Sequence, residues 1–193
     1  MKMEKICVKN VSKSFGDKKV FQNLNLTIEP GKISCMMAPS GAGKTTLLRI
    51  LMGLEDADSG CITGLEGKRF SAVFQEERLC EYMTAVDNIR LVTPRLDAEK
   101  VVQEMDKLGL GDCGAQPVSQ LSGGMRRRVS ILRALLAVYD ILCLDEPFKG
   151  LDDVCKEQTL AYVKQKTTDK TVLFVTHDEK EALSLGAEVI LLL

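Results

Sequence analysis

Apolar and polar positions alternate over residues 5–11 and 18–28, with Val20, Leu24, Leu26 and Ile28 among the apolar set, and this alternation predicts strands of an antiparallel sheet. Gly16-Asp17 and Glu29-Pro30-Gly31 supply the turns. Unbroken apolar runs follow at Ile33–Met37, Ser71–Phe74, Tyr139–Leu144 and Thr171–Val175, which predict buried strands. Cys61–Thr63 and Val189–Leu193 predict two shorter ones. Helical spacing appears in Leu47–Met52, which stops at Gly53, in a segment from Asp152-Asp153 to about Gln165, and in Glu181–Leu185. From Glu76 to Ala137 the period is helical almost throughout. Val86, Ile89 and Leu91 predict one helix there. Leu96, Val101, Val102, Met105 and Leu108 predict a second, closed by Gly109. Ile131, Leu132 and Leu135 predict a third, opened by Leu121–Arg128. The order of elements predicts an α/β fold in one domain, 1–193. A mostly parallel core (1–75 and 138–193) carries an N-terminal antiparallel subdomain, and a helical subdomain (76–137) is inserted in it.

The 193 residues suffice for one sizeable core. Lysine plus arginine (26) balances aspartate plus glutamate (27), so bulk charge argues against a nucleic-acid partner. The seven cysteines are scattered without a C-x-x-C pair, as expected of a protein in a reducing cytosol. Cys35 and Cys143 lie within apolar runs and are expected in the core. No apolar run is long enough to span a bilayer, and Met1–Lys5 leads into no signal core, so a role at a membrane requires a membrane-embedded partner.

Candidate chemistry gathers at strand ends. Ala38-Pro39-Ser40-Gly41-Ala42-Gly43-Lys44-Thr45-Thr46 stands between a strand and a helix. Small residues let consecutive N–H groups curl around an anion, and the helix start adds its positive dipole end. Lys44 can neutralise terminal phosphates, and the Thr45 hydroxyl can ligate Mg²⁺. The pattern usually opens with glycine, and Ala38 there requires a negative φ or strain. Gln75, Asp145-Glu146 and His177 each follow a different apolar strand, the edge of a parallel sheet at which ligands bind. Thr45 and Asp145 offer the hard oxygens that Mg²⁺ prefers. Glu146 is the candidate base for a water. Gln75 can orient that water or touch the metal, and His177 can reach a γ-phosphate. Ser122-Gly123-Gly124 opens another helix and offers a second anion-seeking terminus. The run Arg126-Arg127-Arg128 reads, on charge pattern, as a solvated helix face. Phe15 reads either as a core aromatic, the commoner case, or as a platform for a base.

Taken in order, these motifs resemble those of the nucleotide-binding subunit of an ATP-binding cassette (ABC) transporter along essentially the whole chain. The match comprises Phe15, a Walker A loop (Ala38–Thr46), Gln75, a signature Leu121-Ser122-Gly123-Gly124, a Walker B strand (Ile141–Asp145), Glu146, a D-loop (Gly150-Leu151-Asp152) and His177. Met125 and Ala38 depart from the family pattern. The resemblance implies an ATPase whose two copies pack head to tail around two ATP molecules and Mg²⁺. Lys44, Gln75, Glu146 and His177 would then be catalytic. Phe15, Pro39–Thr46, Ser122, Gly123, Gly124 and Asp152 would bind nucleotide, and Thr45, Gln75 and Asp145 would hold the metal. It further implies integral membrane permease partners, an indirect solute-binding protein, and a cytoplasmic location on the inner face of the membrane. Val73–Leu79 and Thr176–Ala182 look most like bacterial importers of the nitrate, sulfonate, taurine and thiamine group. A soluble ATP-gated clamp acting on a macromolecule is the alternative within the same family.

Overall fold

The computed structural model describes residues 4–39 and 41–192; Ser40 and Leu193 lie outside the described residues. Strands β1 (Ile6–Phe15) and β2 (Lys18–Ile28) form an antiparallel hairpin, and β3 (Ile33–Met37) leads through the glycine-rich loop into α1 (Lys44–Leu51). Then come β4 (Ser59–Thr63), β5 (Phe70–Val73), α2 (Ala85–Arg90), α3 (Ala98–Asp106) and α4 (Gly123–Leu136). The chain continues with β6 (Ile141–Asp145), α5 (Asp153–Lys166), β7 (Thr171–Val175), α6 (Glu179–Leu185) and β8 (Glu188–Leu191). A three-stranded sheet has the order β2-β1-β4, with antiparallel pairing throughout. A five-stranded sheet has the order β5-β6-β7-β3-β8, all parallel. The fold is thus α/β, as the spacing of apolar runs predicts.

The parallel sheet is covered on both faces, which explains why its strands read as unbroken apolar runs. Side chains alternate along each strand, so Leu142, Leu144, Val172 and Phe174 point to one face and Ile141, Cys143, Leu173 and Val175 to the other. The first face packs on α4, α5 and α6 through Ile131, Leu132, Val163 and Leu185. The second packs on α1 and on the antiparallel sheet, through Leu47, Leu48, Ile6, Val8 and Ile28. Each such side chain contributes roughly 1.5–3 kcal/mol on burial, so exposing either face would be costly. Cys35 and Cys143 are buried, as expected.

The helical segment departs from its predicted limits. Leu91 lies past the end of α2 and is exposed: the helix spans only Ala85–Arg90, and the apolar side chains that it buries are Ala85 and Ile89. Leu96 and Leu108 flank α3 and pack on the core from turns. Among the described residues, no helix is long and apolar enough to cross a membrane.

Glu104 of α3 ties this segment to α5. Its carboxylate accepts from the Tyr162 hydroxyl and pairs with Lys166 at 2.9 Å and Lys107 at 3.0 Å. Burial opposes its charge, but these donors outweigh burial and hold its pKa down to about 2. A carboxyl depressed in the folded state stabilises above its unfolded value, about 4.3, and loses that contribution as pH falls through the folded one. The urea midpoint of Glu104→Gln should therefore fall below wild type at pH 7, and the gap should narrow toward pH 3. A gap of equal size at both pH values would show that the carboxylate's charge contributes nothing there.

Candidate nucleotide site

The loop after β3 owes its shape to glycine at one position above all. Gly43 adopts φ 84° at the N-terminus of α1. A Cβ there would stand 2.3 Å from Val20 Cγ1 and 2.9 Å from a Phe21 ring carbon, so the loop is pressed onto β2 and admits no side chain. Ala38 is not among the residues with positive φ, so the chain leaves β3 without strain at the place where glycine is usual. No acidic side chain occupies the first turn of α1, which leaves its positive end for an external anion.

Lys44 is buried at the foot of this loop, its ammonium donating to the carbonyls of Ala38 at 2.7 Å and Pro39 at 3.0 Å. An ammonium has three donors, so one more is available to a phosphate oxygen. Next along the helix, the Thr45 hydroxyl donates to Asp145 Oδ2 at 2.7 Å, and the Gln75 amide reaches Thr45 Oγ1 at 3.4 Å. Asp145 is 3% exposed, and its other oxygen, Oδ1, is buried without a hydrogen-bond partner. Burial raises its pKa above the ordinary aspartate range, against the pull of the Thr45 bond. A buried carboxylate oxygen with no donor, beside a hydroxyl and an amide, fits a divalent cation. Among the described residues no group of three or more His, Cys, Asp and Glu side chains is placed to hold a metal ion.

Glu146 follows at φ 46°, a left-handed conformation rare for a residue with a long side chain. Its N–H donates to Val175 O at 2.9 Å, which pins the bend at the sheet edge. Burial works against its charge, yet Lys149 at 3.1 Å and His177 at 3.6 Å hold the carboxylate below the usual glutamate range. It is therefore ionised near neutrality and suited to orienting a water.

The structure brings Phe15, Gly41, Gly43, Lys44, Thr45 and Thr46 together with Gln75, Asp145 and Glu146 around one cleft. Ala42 and Pro39 belong to the same loop, joined by Ala42 N–H donating to Pro39 O at 3.2 Å. Phe15 is not a core aromatic: it is half exposed at the rim, with the Lys13 ammonium 4.9 Å from its ring centroid. His177 is exposed behind Glu146 and borders a neighbouring cleft with Lys149 and Asp178. Ser122 and Gly123 stand apart, exposed at the start of α4, where the Ser122 hydroxyl accepts from Met125 N–H at 3.3 Å. Gly124 abuts Leu151 and Gly150, so the exposed Asp152, which caps α5, lies near this second surface and not on the phosphate cleft.

The expectation of a solvated arginine face is wrong for Arg127, which is 3% exposed. It turns inward because the inward stripe of α4, Ile131 and Ala134, continues back onto it at helical spacing. Charge pattern hid this; the period of the buried residues behind it is the signal that reveals it.

A family model described as "ABC transporter" matches residues 21–149, two thirds of the chain. The chain belongs to the ABC transporter family. Within that family, this chain is 40% identical to the aliphatic sulfonates import ATP-binding protein SsuB 1 of Rhodococcus jostii, over 92% of this chain and 75% of that one. It is 35% identical to the sulfate/thiosulfate import ATP-binding protein CysA of Pectobacterium atrosepticum, over 96% of this chain but only 62% of the relative's length. A probable CysA of Chlorella vulgaris is 37% identical over 97% of this chain and 86% of that one. These names agree with the importer-like reading of Val73–Leu79 and Thr176–Ala182. In three dimensions the ABC domain is similar to the dimeric bacterial ABC transporter cassette MJ0796, with a TM-score of 0.84 at 28% identity. That alignment covers 96% of this chain and 93% of the other. A post-hydrolysis structure of the same cassette, bound to ADP and Pi, aligns with a TM-score of 0.83.

Proposed function

We propose that the chain binds ATP in the cleft at the end of the parallel sheet and hydrolyses it as one of two identical subunits that drive import through separate membrane permease subunits. The observation that carries this reading is the strand order: β5, β6, β7 and β3 are neighbours, so Gln75, Asp145-Glu146, His177 and the glycine loop meet at one rim. We read residues 1–75 and 138–193 as the nucleotide-binding core and 76–137 as the helical subdomain.

Phe15 stacks on the adenine. The amides of residues 39–46, the α1 dipole and Lys44 bind the phosphates; Ser40 belongs to this set by its place in the motif. Thr45, Asp145 and the Gln75 carbonyl would hold Mg²⁺, which when bound neutralises charge on the phosphate oxygens. Glu146 orients a water and accepts its proton, His177 stays close to that carboxylate, and Lys44 offsets charge that builds on the leaving phosphate.

One chain presents the signature helix terminus and the phosphate cleft on different surfaces, so neither completes the other. Two copies packed head to tail bring Ser122, Gly123, Gly124 and Asp152 of one against the phosphates held by the other. ATP then bridges the pair, and hydrolysis releases it. The import role of the named relatives supports the permease-coupled reading, and the dimeric structures of the MJ0796 cassette support the pairing. The domain works from the cytoplasmic side of the membrane and reaches a solute-binding protein only through the permease.

The experiment mixes two defective chains, Lys44→Ala and Ser122→Arg. Each alone should be inactive in reconstituted permease complexes. Their mixture should recover part of the wild-type turnover, because mixed pairs retain one intact pocket. A mixture as inactive as its components would remove the shared-pocket reading.

A further inference from the structure

The buried guanidinium of Arg127 has no role in the chemistry above, and its surroundings are unusual. Among the described residues, no carboxylate oxygen is bonded to it. Its donors go instead to main-chain carbonyls: Nε to Pro147 O at 2.7 Å, Nη2 to Asp145 O at 3.0 Å and to Glu146 O, Nη1 to Phe74 O and, at 3.3 Å, to Gln75 O. A buried cation satisfied only by backbone dipoles is costly to desolvate, and burial lowers its pKa accordingly. Ordinary packing does not call for one here, since Ile131 and Ala134 continue the same stripe as plain apolar residues.

The five carbonyls come from two separate segments. Phe74 and Gln75 follow β5; Asp145 ends β6, and the left-handed Glu146 and Pro147 follow it. A guanidinium is a rigid planar fork whose donors have fixed mutual geometry, so one group can register several acceptors against each other. Arg127 also lies one helical turn after Gly124, on the helix whose start is the exposed Ser122 surface.

We propose that Arg127 is the positioning residue for the catalytic rim: it holds the Gln75 and Glu146 backbones in register from behind and fastens both to the first turn of α4. It never touches nucleotide. It acts by keeping a left-handed Glu146 and the Gln75 amide where water and metal must be met, and its positive charge sits behind two crowded carboxylates. The proposal rests on the assignment of Gln75 and Glu146 given above.

The test compares wild type, Arg127→Gln and Arg127→Lys in the permease-bound protein, with ATP affinity, kcat and KM measured alongside thermal unfolding. The glutamine side chain has two donors in place of five and cannot span both segments; lysine keeps the charge but loses the planar fork. Misplacement of a catalytic group by about 1 Å costs on the order of 10²-fold in rate. Arg127→Gln is therefore expected to lose about 10- to 100-fold in kcat with ATP affinity within about threefold of wild type. Arg127→Lys should recover part of the loss. Where Arg127→Gln does not fold, the lysine variant decides alone, by a fall in kcat at unchanged affinity. Folded variants with wild-type kcat, or variants losing affinity and kcat in step, would overturn the proposal. A wild-type protein that hydrolyses no ATP would instead overturn the reading on which it rests.

Discussion

Replacing Glu146 by glutamine is expected to lower ATP turnover by about 10²-fold or more while leaving ATP binding intact. The two side chains have the same shape, so the left-handed backbone at φ 46° and the bond from Glu146 N–H to Val175 O need not change. What disappears is the charge. The carboxylate lies below the ordinary glutamate range because Lys149 and His177 outweigh its burial, so at neutral pH wild type holds an anion ready to receive a proton from water. An amide cannot do so. Binding should survive, and even tighten slightly, because a negative charge is removed near the place of the phosphates. Two results follow. Steady-state hydrolysis should collapse, and the ATP complex should persist long enough for size-exclusion chromatography to show a dimer. Undiminished hydrolysis would end the assignment of Glu146, whereas loss of hydrolysis with no ATP-dependent dimer would end the assignment of a shared pocket.

Lys44→Ala should act on the other quantity, raising the Kd for ATP by about 10²-fold or more in a fluorescent-nucleotide titration. Hydrogen bonds to charged groups contribute roughly 1.5–3 kcal/mol each, and the one Lys44 donor left free by Ala38 O and Pro39 O makes such a bond to a phosphate oxygen while its charge offsets that of the phosphates. The bonds from Lys44 to Ala38 O and Pro39 O keep it folded back on its own loop, so little side-chain entropy remains to be lost on binding. Removing it deletes the charge and leaves both carbonyls to water. The variant should melt near wild type, since the bend at Gly43 and the apolar anchors Leu47 and Leu48 are untouched. Affinity within about threefold of wild type would show that the loop amides alone bind the nucleotide.

The two variants separate chemistry from binding, and their contrast depends on geometry that is unevenly legible in the chain. The strands and the residues that follow them are local matters. An apolar run between turn formers becomes a buried strand because side-chain period and backbone punctuation act within a few residues. Lys44, Thr45, Gln75, Asp145, Glu146 and His177 could thus be placed at strand ends without coordinates. So could the two helix starts at Gly43 and Ser122, since glycine tolerates positive φ and serine caps. The ends of α2 and α3 were harder, because Leu91, Leu96 and Leu108 obey the helical period while lying outside the helices. Periodicity counts apolar residues; it does not tell where the helical hydrogen-bond ladder starts or stops.

Amino-acid order alone was enough for the α/β class, the phosphate loop and the list of polar groups facing it, because each depends on neighbours in the chain. It did not place Gln75 beside Asp145, set the left-handed bend of Glu146, put Phe15 at a rim, or turn Arg127 inward onto five carbonyls. Those arise when β5, β6 and α4, remote in the chain, close on one core. Burial then decides which charges stay in water and which must find a partner inside.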